Sequence, residues 1–546
     1  MNTFRITANC IDLLNQTILP QTIVVSDGII TQLIPAPENQ CTSYILPGFI
    51  DAHVHVESSL LIPSEFARMA VTHGMVGTIS DPHEIANVLG VFGVEYMLRN
   101  AAKEPFHFFF GAPSCVPATA FETAGDTIDI PGVEYLLNRD DIWYLAEVMN
   151  YPGVLNNDPD MLGKIAAAKR IGKPVDGHAP GLRGEEAKRY ADAGISTDHE
   201  CFTLDEALDK IHAGMHILIR EGSAARNFEA LHPLLGSHPN KVMLCSDDKH
   251  PDNLLEGHIN VQVKRALALG YNLFDVLRAA SWNVKQHYKL PVGMLQIGDS
   301  ADFIEIDNLE HFTILGTWIK GTKVAEQGKS FIHHQEERTE NRFHSREISV
   351  DELFVPSENG KLRVIEAHDG QLITSEMLAS PRLDGSGNVL SQPDQDILKI
   401  VVVNRYHQAP PAIAFIKNMG LKKGAIASTV AHDSHNIIAC GCSDEEITRA
   451  INLLMVSKGG LCAIDHEEEH LLALPVAGLM SNGDAWEVAK LYTQLDTFVK
   501  EKLGSPLRAP FMTLSFMALL VIPNLKLSDK GLFEGSAFRF CGNWVD

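Results

Sequence analysis

Eight short apolar runs between residues 47 and 246, most of them ending in reactive polar residues and separated by helical stretches, constrain this chain more than any other feature of it. The first is "PGFID" before His53 and His55, the second "MVGTIS" before Asp81 and His83, and the third "FHFFFG" before Ser114 and Cys115. The fourth, "IWYLAEV", carries Glu147; the fifth, "KPVDG", precedes His178; the sixth, "GISTD", precedes His199. The seventh is "MHILIR" before Glu221 and Ser223, and the eighth "KVMLCS" before Asp247 and Asp248. Segments such as "PSEFARMAVTHG", "DMLGKIAAAKRIG" and "TLDEALDKIHAG" lie between them, with glycine where a helix would stop. Strand and helix in alternation predict a parallel sheet, either doubly wound or closed, and eight strands fit a (β/α)8 barrel. The active site of such a barrel lies at the C-terminal strand ends, where these polar residues fall.

The stretch "PGFIDAHVHVESS" sharpens the expectation. Side chains two apart on a strand share a face, roughly 6.5 Å from one another. Asp51, His53, His55 and Glu57 would then face the same way, and two imidazoles so placed can converge on one metal ion. Alone, one histidine capping a turn and the other solvated explains the pair equally well. Taken with Glu147, His178, His199 and Asp247, however, the two histidines would surround a single point above the barrel. That set suffices for two divalent ions with Glu147 between them, and nitrogen and oxygen donors without thiolate suit Zn, Mn or Fe(II). Two ions roughly 3.5–4 Å apart can deprotonate a shared water at neutral pH.

A length of 546 residues predicts two to four domains. Short β-type runs in residues 1–46 return at about 291–335, as one sheet domain split by the barrel at 47–290. "HQEERTENRFHSRE" reads as a linker into a third region, 351–546. The formal net charge of −24 counts against nucleic-acid binding, which needs a basic face. No stretch reads as a membrane span or a secretory leader, so a cytoplasmic location is the default expectation. The nine cysteines contain no CxxC pair, which reads as structural thiols in a reducing compartment and excludes the PCxxC route to base deamination.

At these residues the chain resembles the amidohydrolase superfamily, in which a metal-binding HxH follows "PG" on the first barrel strand. "SDPHEIANVLG", "APSCVPA", "AEVMNYPGV", "DGHAPGL", "IREGSAARN", "CSDDKHP" and "STVAHDSHNI" are similar, more narrowly, to the bacterial adenine deaminase family, from about residue 45 to the end. The resemblance implies a (β/α)8 barrel with a flanking β-sandwich and an additional C-terminal α+β domain. It also implies a homodimer acting on free adenine, in purine salvage or catabolism. The cofactor implied is a pair of divalent ions, Mn(II) first, with Fe(II) or Zn(II) as alternatives. Most binuclear relatives carry a carboxylated lysine on the fourth strand; "YLAEVMN" has none, and Glu147 takes that place.

Carried over residue by residue, His53, His55, Glu147, His178, His199 and Asp247 match metal positions, and Asp247 also matches the acid that shuttles protons. Asp248 keeps three roles: orienting a ligand, touching substrate, or capping a turn. Glu57 would serve a ring nitrogen or steady a ligating histidine. His83 and Glu84 would line the base pocket, against a helix start in which Asp81 caps, Pro82 opens the first turn and Glu84 favours the dipole. Arg220, Glu221 and Ser223 would contact the ligand or form a loop salt bridge. His432 and His435 would close over the site or serve local structure. The rival activities are ring opening by a dihydroorotase-like cyclic-amide hydrolase and, with the metal lost, a scaffold.

Overall fold

The computed structural model describes residues 3–546. All eight apolar runs are parallel strands: Phe49–Val54, Met75–Ser80, His107–Ala112, Ile142–Val148, Val175–Gly177, Thr197–Asp198, His216–Arg220 and Val242–Cys245. They are hydrogen-bonded in sequence as one arc of five and one of three. The eighth returns to the first: Asp247 N donates to His53 O at 2.9 Å, and Val54 forms a parallel bridge with Asp247. Strands one and two are buried along their whole length, as a sheet covered on both faces by other layers requires. Their runs are accordingly continuous rather than alternating. The helices Pro159–Arg170 and Leu204–His212 stop as expected, just ahead of Gly172 and Gly214, whose φ values of +70° and +101° suit a residue without Cβ.

One expectation fails at the first strand. The strand stops at Val54 and Val56–Ser59 form a 3₁₀ turn, so the two-residue alternation does not carry Glu57 onto the face of the HxH pair. Asp51 likewise turns to the backbone, accepting from His53 N at 3.2 Å and Ser246 N at 3.0 Å. It knits the first strand to the eighth instead of ligating.

The early β-runs and those after residue 300 join in one eight-stranded sheet, with Tyr44–Pro47 antiparallel to Phe303–Ile306 at the seam. Ala8, Cys10, Ile23, Phe303 and Trp318 pack in a core of their own on it, whereas Ile11 and Leu46 belong to the large core of the parallel strands. Residues 331–349 contain no helix or strand and strap the surface through His334–Glu65 and Glu337–Asn100 contacts. Beyond them a nine-stranded sheet, whose strands include Ile397–Val403 and Ala425–Ser428, carries the helix Asp444–Ser457, capped by Ser443. Ile400, Ile426 and Phe516 share the large core with the parallel strands, so the third region is seated on them. Among the described residues no helix is long and apolar enough to cross a membrane.

The ends of strands five and six are tied by a fully buried ionic group. Lys210 donates to Ala179 O at 2.7 Å and Glu206 Oε1 at 2.9 Å, and lies 3.1 Å from Asp198. Asp198 in turn accepts from Ala179 N and Glu200 N, beside His178 and His199. Lys210→Met leaves two buried carboxylates without their cation and is expected to cost about 3–5 kcal/mol. Thermal unfolding checks this; an unchanged midpoint would show that the pair is stability-neutral.

Candidate metal centre

Strand ends one, four, five, six and eight bring the six expected ligands together. His53 Nε2 and His55 Nε2 lie 3.1 Å apart, and Asp247 Oδ1 is 3.6 Å and 3.3 Å from them. Glu147 divides its oxygens: Oε1 is 3.3 Å from His55 Nε2, while Oε2 is 2.7 Å from His178 Nδ1 and 3.2 Å from His199 Nε2. All six residues are at least 95% buried.

These spacings fit a cation. Donors bound at about 2.1 Å to one small ion sit roughly 3.0–3.4 Å from each other, whether tetrahedral or octahedral. The His53–His55, His55–Asp247, His55–Glu147 and His199–Glu147 separations all fall there. Hydrogen bonding alone serves the set poorly, since His178 Nε2 is buried without a partner. The electrostatics agree. Burial opposes ionisation of Glu147, but His178 and His199 overcome it and hold its carboxyl well below the ordinary range. Burial also opposes charging of His199, and Glu147 with Asp247 raises that imidazole to about 9. A pocket in which acids pull imidazoles toward protonation is one whose excess negative charge a divalent ion neutralises.

Arg220 stands elsewhere than a substrate contact. Buried behind the cluster, it donates to Asp247 Oδ2 at 2.5 Å and grips Glu200 with both terminal nitrogens. Burial disfavours the Asp247 carboxylate, and the charge of Arg220 more than reverses this, keeping it well below the usual range. Asp248 shows the opposite balance: burial and the charge of Asp247 raise it, while Ser58 donates to its Oδ1 at 2.5 Å. Glu221 points away from the cluster to Arg265. Ser223 supports the eighth loop, its Oγ accepting from His250 N at 2.8 Å. Neither lines the cavity beside the cluster, because the chain leaves strand seven outward at Glu221.

Glu57 also lies behind the cavity wall. Its Oε1 accepts from Ile85 N at 3.2 Å, and burial, with Glu84 nearby, raises its carboxyl to about 7. His83 and Glu84 do line the cavity. The helix His83–Leu89 begins there with Asp81 accepting from His83 N at 3.1 Å, but Pro82 precedes the helix instead of opening it. Glu84 is taken up by the third region: His432 Nδ1 lies 2.6 Å from its Oε1, and His435 contacts Oε2. Of the two histidines considered from the sequence, His432 lines the cavity and His435 meets it only through Glu84.

Three features had no forecast. Glu200, the residue after His199, faces His178 and His199 at 3.7 Å and 3.6 Å; a second acid directly behind a strand-end ligand was the available signal. Asp81 Oδ2 accepts from Glu147 N at 3.2 Å, fixing the fourth strand end from the second. Met149, Leu372, Phe516 and Leu519 give the cavity apolar walls, three of them from the third region. No local pattern marked those three.

Residues 44–324 match the family model described as Amidohydrolase family, and residues 371–539 match the Adenine deaminase C-terminal domain. A protein named adenine deaminase from Sulfurovum sp. (strain NBC37-1) is 54% identical over 533 residues, 98% of each chain. One so named from Salinibacter ruber (strain DSM 13855 / M31) is 52% identical over 544 residues, 100% of this chain and 99% of the relative. Another, from Methanosarcina mazei (strain ATCC BAA-159 / DSM 3647 / Goe1 / Go1 / JCM 11833 / OCM 88), is 50% identical over 537 residues, 96% of each.

Proposed function

The chain belongs to the adenine deaminase family of amidohydrolases, and on that premise we propose a residue-level account of how it converts free adenine and water into hypoxanthine and ammonia. The observation that carries the account is Glu147, one carboxylate with one oxygen by His55 and the other by His178 and His199, at the floor of a small, apolar-walled cavity. Cyclic-amide opening is not favoured, since the similarity to adenine deaminases runs through both regions of the chain.

The donor set suits two divalent ions, Mn(II) first, with Fe(II) or Zn(II) as alternatives. His53, His55 and Asp247 would hold one, His178 and His199 the other, and Glu147 would touch both. Ions bound there supply a hydroxide nucleophile at neutral pH. Asp247 Oδ1 faces that centre while Arg220 fixes Oδ2, so Oδ1 is the atom that takes a proton from the attacking water and returns it to the leaving amine. Phe516, Leu519, Leu372 and Met149 sandwich the purine, and His83, Glu84 and Asp248 serve its polar edge. Glu57 acts one layer back, holding the start of the helix that carries Glu84.

The layout we propose is a (β/α)8 barrel over 47–290, a flanking β-sandwich from 1–46 and about 291–335, and a C-terminal α+β domain over 351–546 that roofs the site. A cytoplasmic homodimer in purine salvage or catabolism completes the reading.

Adenine and adenosine, assayed spectroscopically with Mn(II)-loaded and metal-free protein, test it. Loaded protein should deaminate adenine, metal-free protein should not, and adenosine should react about 10²-fold more slowly or less, because a ribose on N9 meets the apolar roof. Comparable turnover of both would overturn the pocket assignment.

A further inference from the structure

Behind the metal centre, between the loops after strands seven and eight, lies a second cavity of about 140 Å³ that shares no lining residue with the catalytic one. Its wall contains Lys249, which is 9% exposed and, among the described residues, has no hydrogen-bond or ion-pair partner. Its stem is buried while its ammonium stays accessible to the cavity without a protein partner, which leaves its donors free for a ligand. Beside it His258 is 1% exposed with both ring nitrogens free of hydrogen bonds, its nearest acid being Asp51 Oδ2 at 3.5 Å. Arg226 donates only to the carbonyls of Gly222 and Ser223, whereas Arg265 is already engaged by Glu221 and Glu229. The ten-residue helix Ile259–Ala268 starts at this wall, with His258 at its N-cap and no acid in its first turn. The N–H dipoles of its first turn add positive potential. Glu256 is the one lining carboxylate without an ion pair, and with Glu221 it acts on Lys249 and Arg226 only from beyond ion-pair distance.

We propose that this cavity is a binding site for a phosphate-type oxyanion, held by Lys249, Arg226 and His258. An ammonium, a guanidinium and an imidazole N–H from two loops and a helix start supply charge-assisted donors from several directions, which a tetrahedral dianion can accept together. Occupation couples to the catalytic loops, because Lys249 follows Asp247 and Asp248 in the chain. In addition, Ser223, in the loop of Arg226, donates its N–H to Asp248 O at 2.8 Å.

The test is thermal unfolding of Mn(II)-loaded protein at fixed ionic strength, titrated with inorganic phosphate, with adenosine 5′-monophosphate, and with chloride as control. Phosphate should raise the midpoint saturably, as a ligand of the native state does. Lys249→Met and Arg226→Gln should each weaken that binding about tenfold or more, the scale of one charge-assisted contact. Lys249→Met should also melt higher than wild type in chloride, having shed an unpartnered charge. If the monophosphate binds more tightly than phosphate, the ligand is a phosphate monoester; if equally or more weakly, it is the free ion. Phosphate and chloride titrations that coincide would mean a merely hydrated cavity. A phosphate effect that survives both substitutions would mean binding at the metal centre. Either overturns the proposal, and Arg226→Gln decides alone should Lys249→Met not fold.

Discussion

Glu147→Gln should lose divalent metal and turnover together. The carboxylate places one oxygen by His55 and the other by His178 and His199, so its charge serves both halves of the cluster. Two dications in one cavity repel, and the shared negative charge is what offsets that repulsion. Glutamine keeps the volume and one acceptor but removes the charge and offers an NH₂ to a histidine nitrogen. Metal affinity should fall by more than about 100-fold, the upper end of what even an outer partner of a ligand is worth. Metal content per chain after gel filtration, read beside the unfolding midpoint, checks this independently of activity. Wild-type metal content with near wild-type turnover would remove Glu147 from the centre.

Asp247→Asn should separate the two functions of its side chain. Asn retains an oxygen toward His53 and His55, so much of the metal should stay, but it can neither accept nor return a proton at neutral pH. A loss of about 10²-fold or more in kcat is expected, the usual scale for a removed general acid–base group. The structure adds a second consequence: Arg220 would keep only Glu200, and Glu200 faces His178 and His199. Arg220→Met tests that coupling, because it frees Asp247 Oδ2 without touching Oδ1. A metal-replete Asp247→Asn protein working at near wild-type rate would move the proton to Asp248, the other acid of that loop on the cavity wall.

The places where sequence and structure part company share a cause. Arg220 and Glu221 are neighbours at a strand end, so one must face in and the other out, but alternation alone does not say which. Arg220 faces in and finds Asp247 and Glu200; Glu221 faces out and finds Arg265. The strand alternation reaches Glu57 only by running two residues too far, past a 3₁₀ turn that Val56–Ser59 do not advertise. Glu84 has the sequence of a helix-start acid and sits at one, yet its partners His432 and His435 lie about 350 residues away in the chain.

What the sequence determined by itself was the order of the eight parallel strands and the identity of the six residues that meet at their ends. Both follow from local rules, a continuous apolar run for a strand covered on two faces and a polar side chain where the run stops. Only the tertiary structure decided what surrounds those six: Arg220 behind Asp247, Asp81 beneath Glu147, and Phe516, Leu519, His432 and Asp433 arriving from the third region to roof the cavity. Such contacts join segments whose separation in the chain carries no periodic signal, and they form because a buried charge must find its counter-charge wherever the packed core brings one within reach.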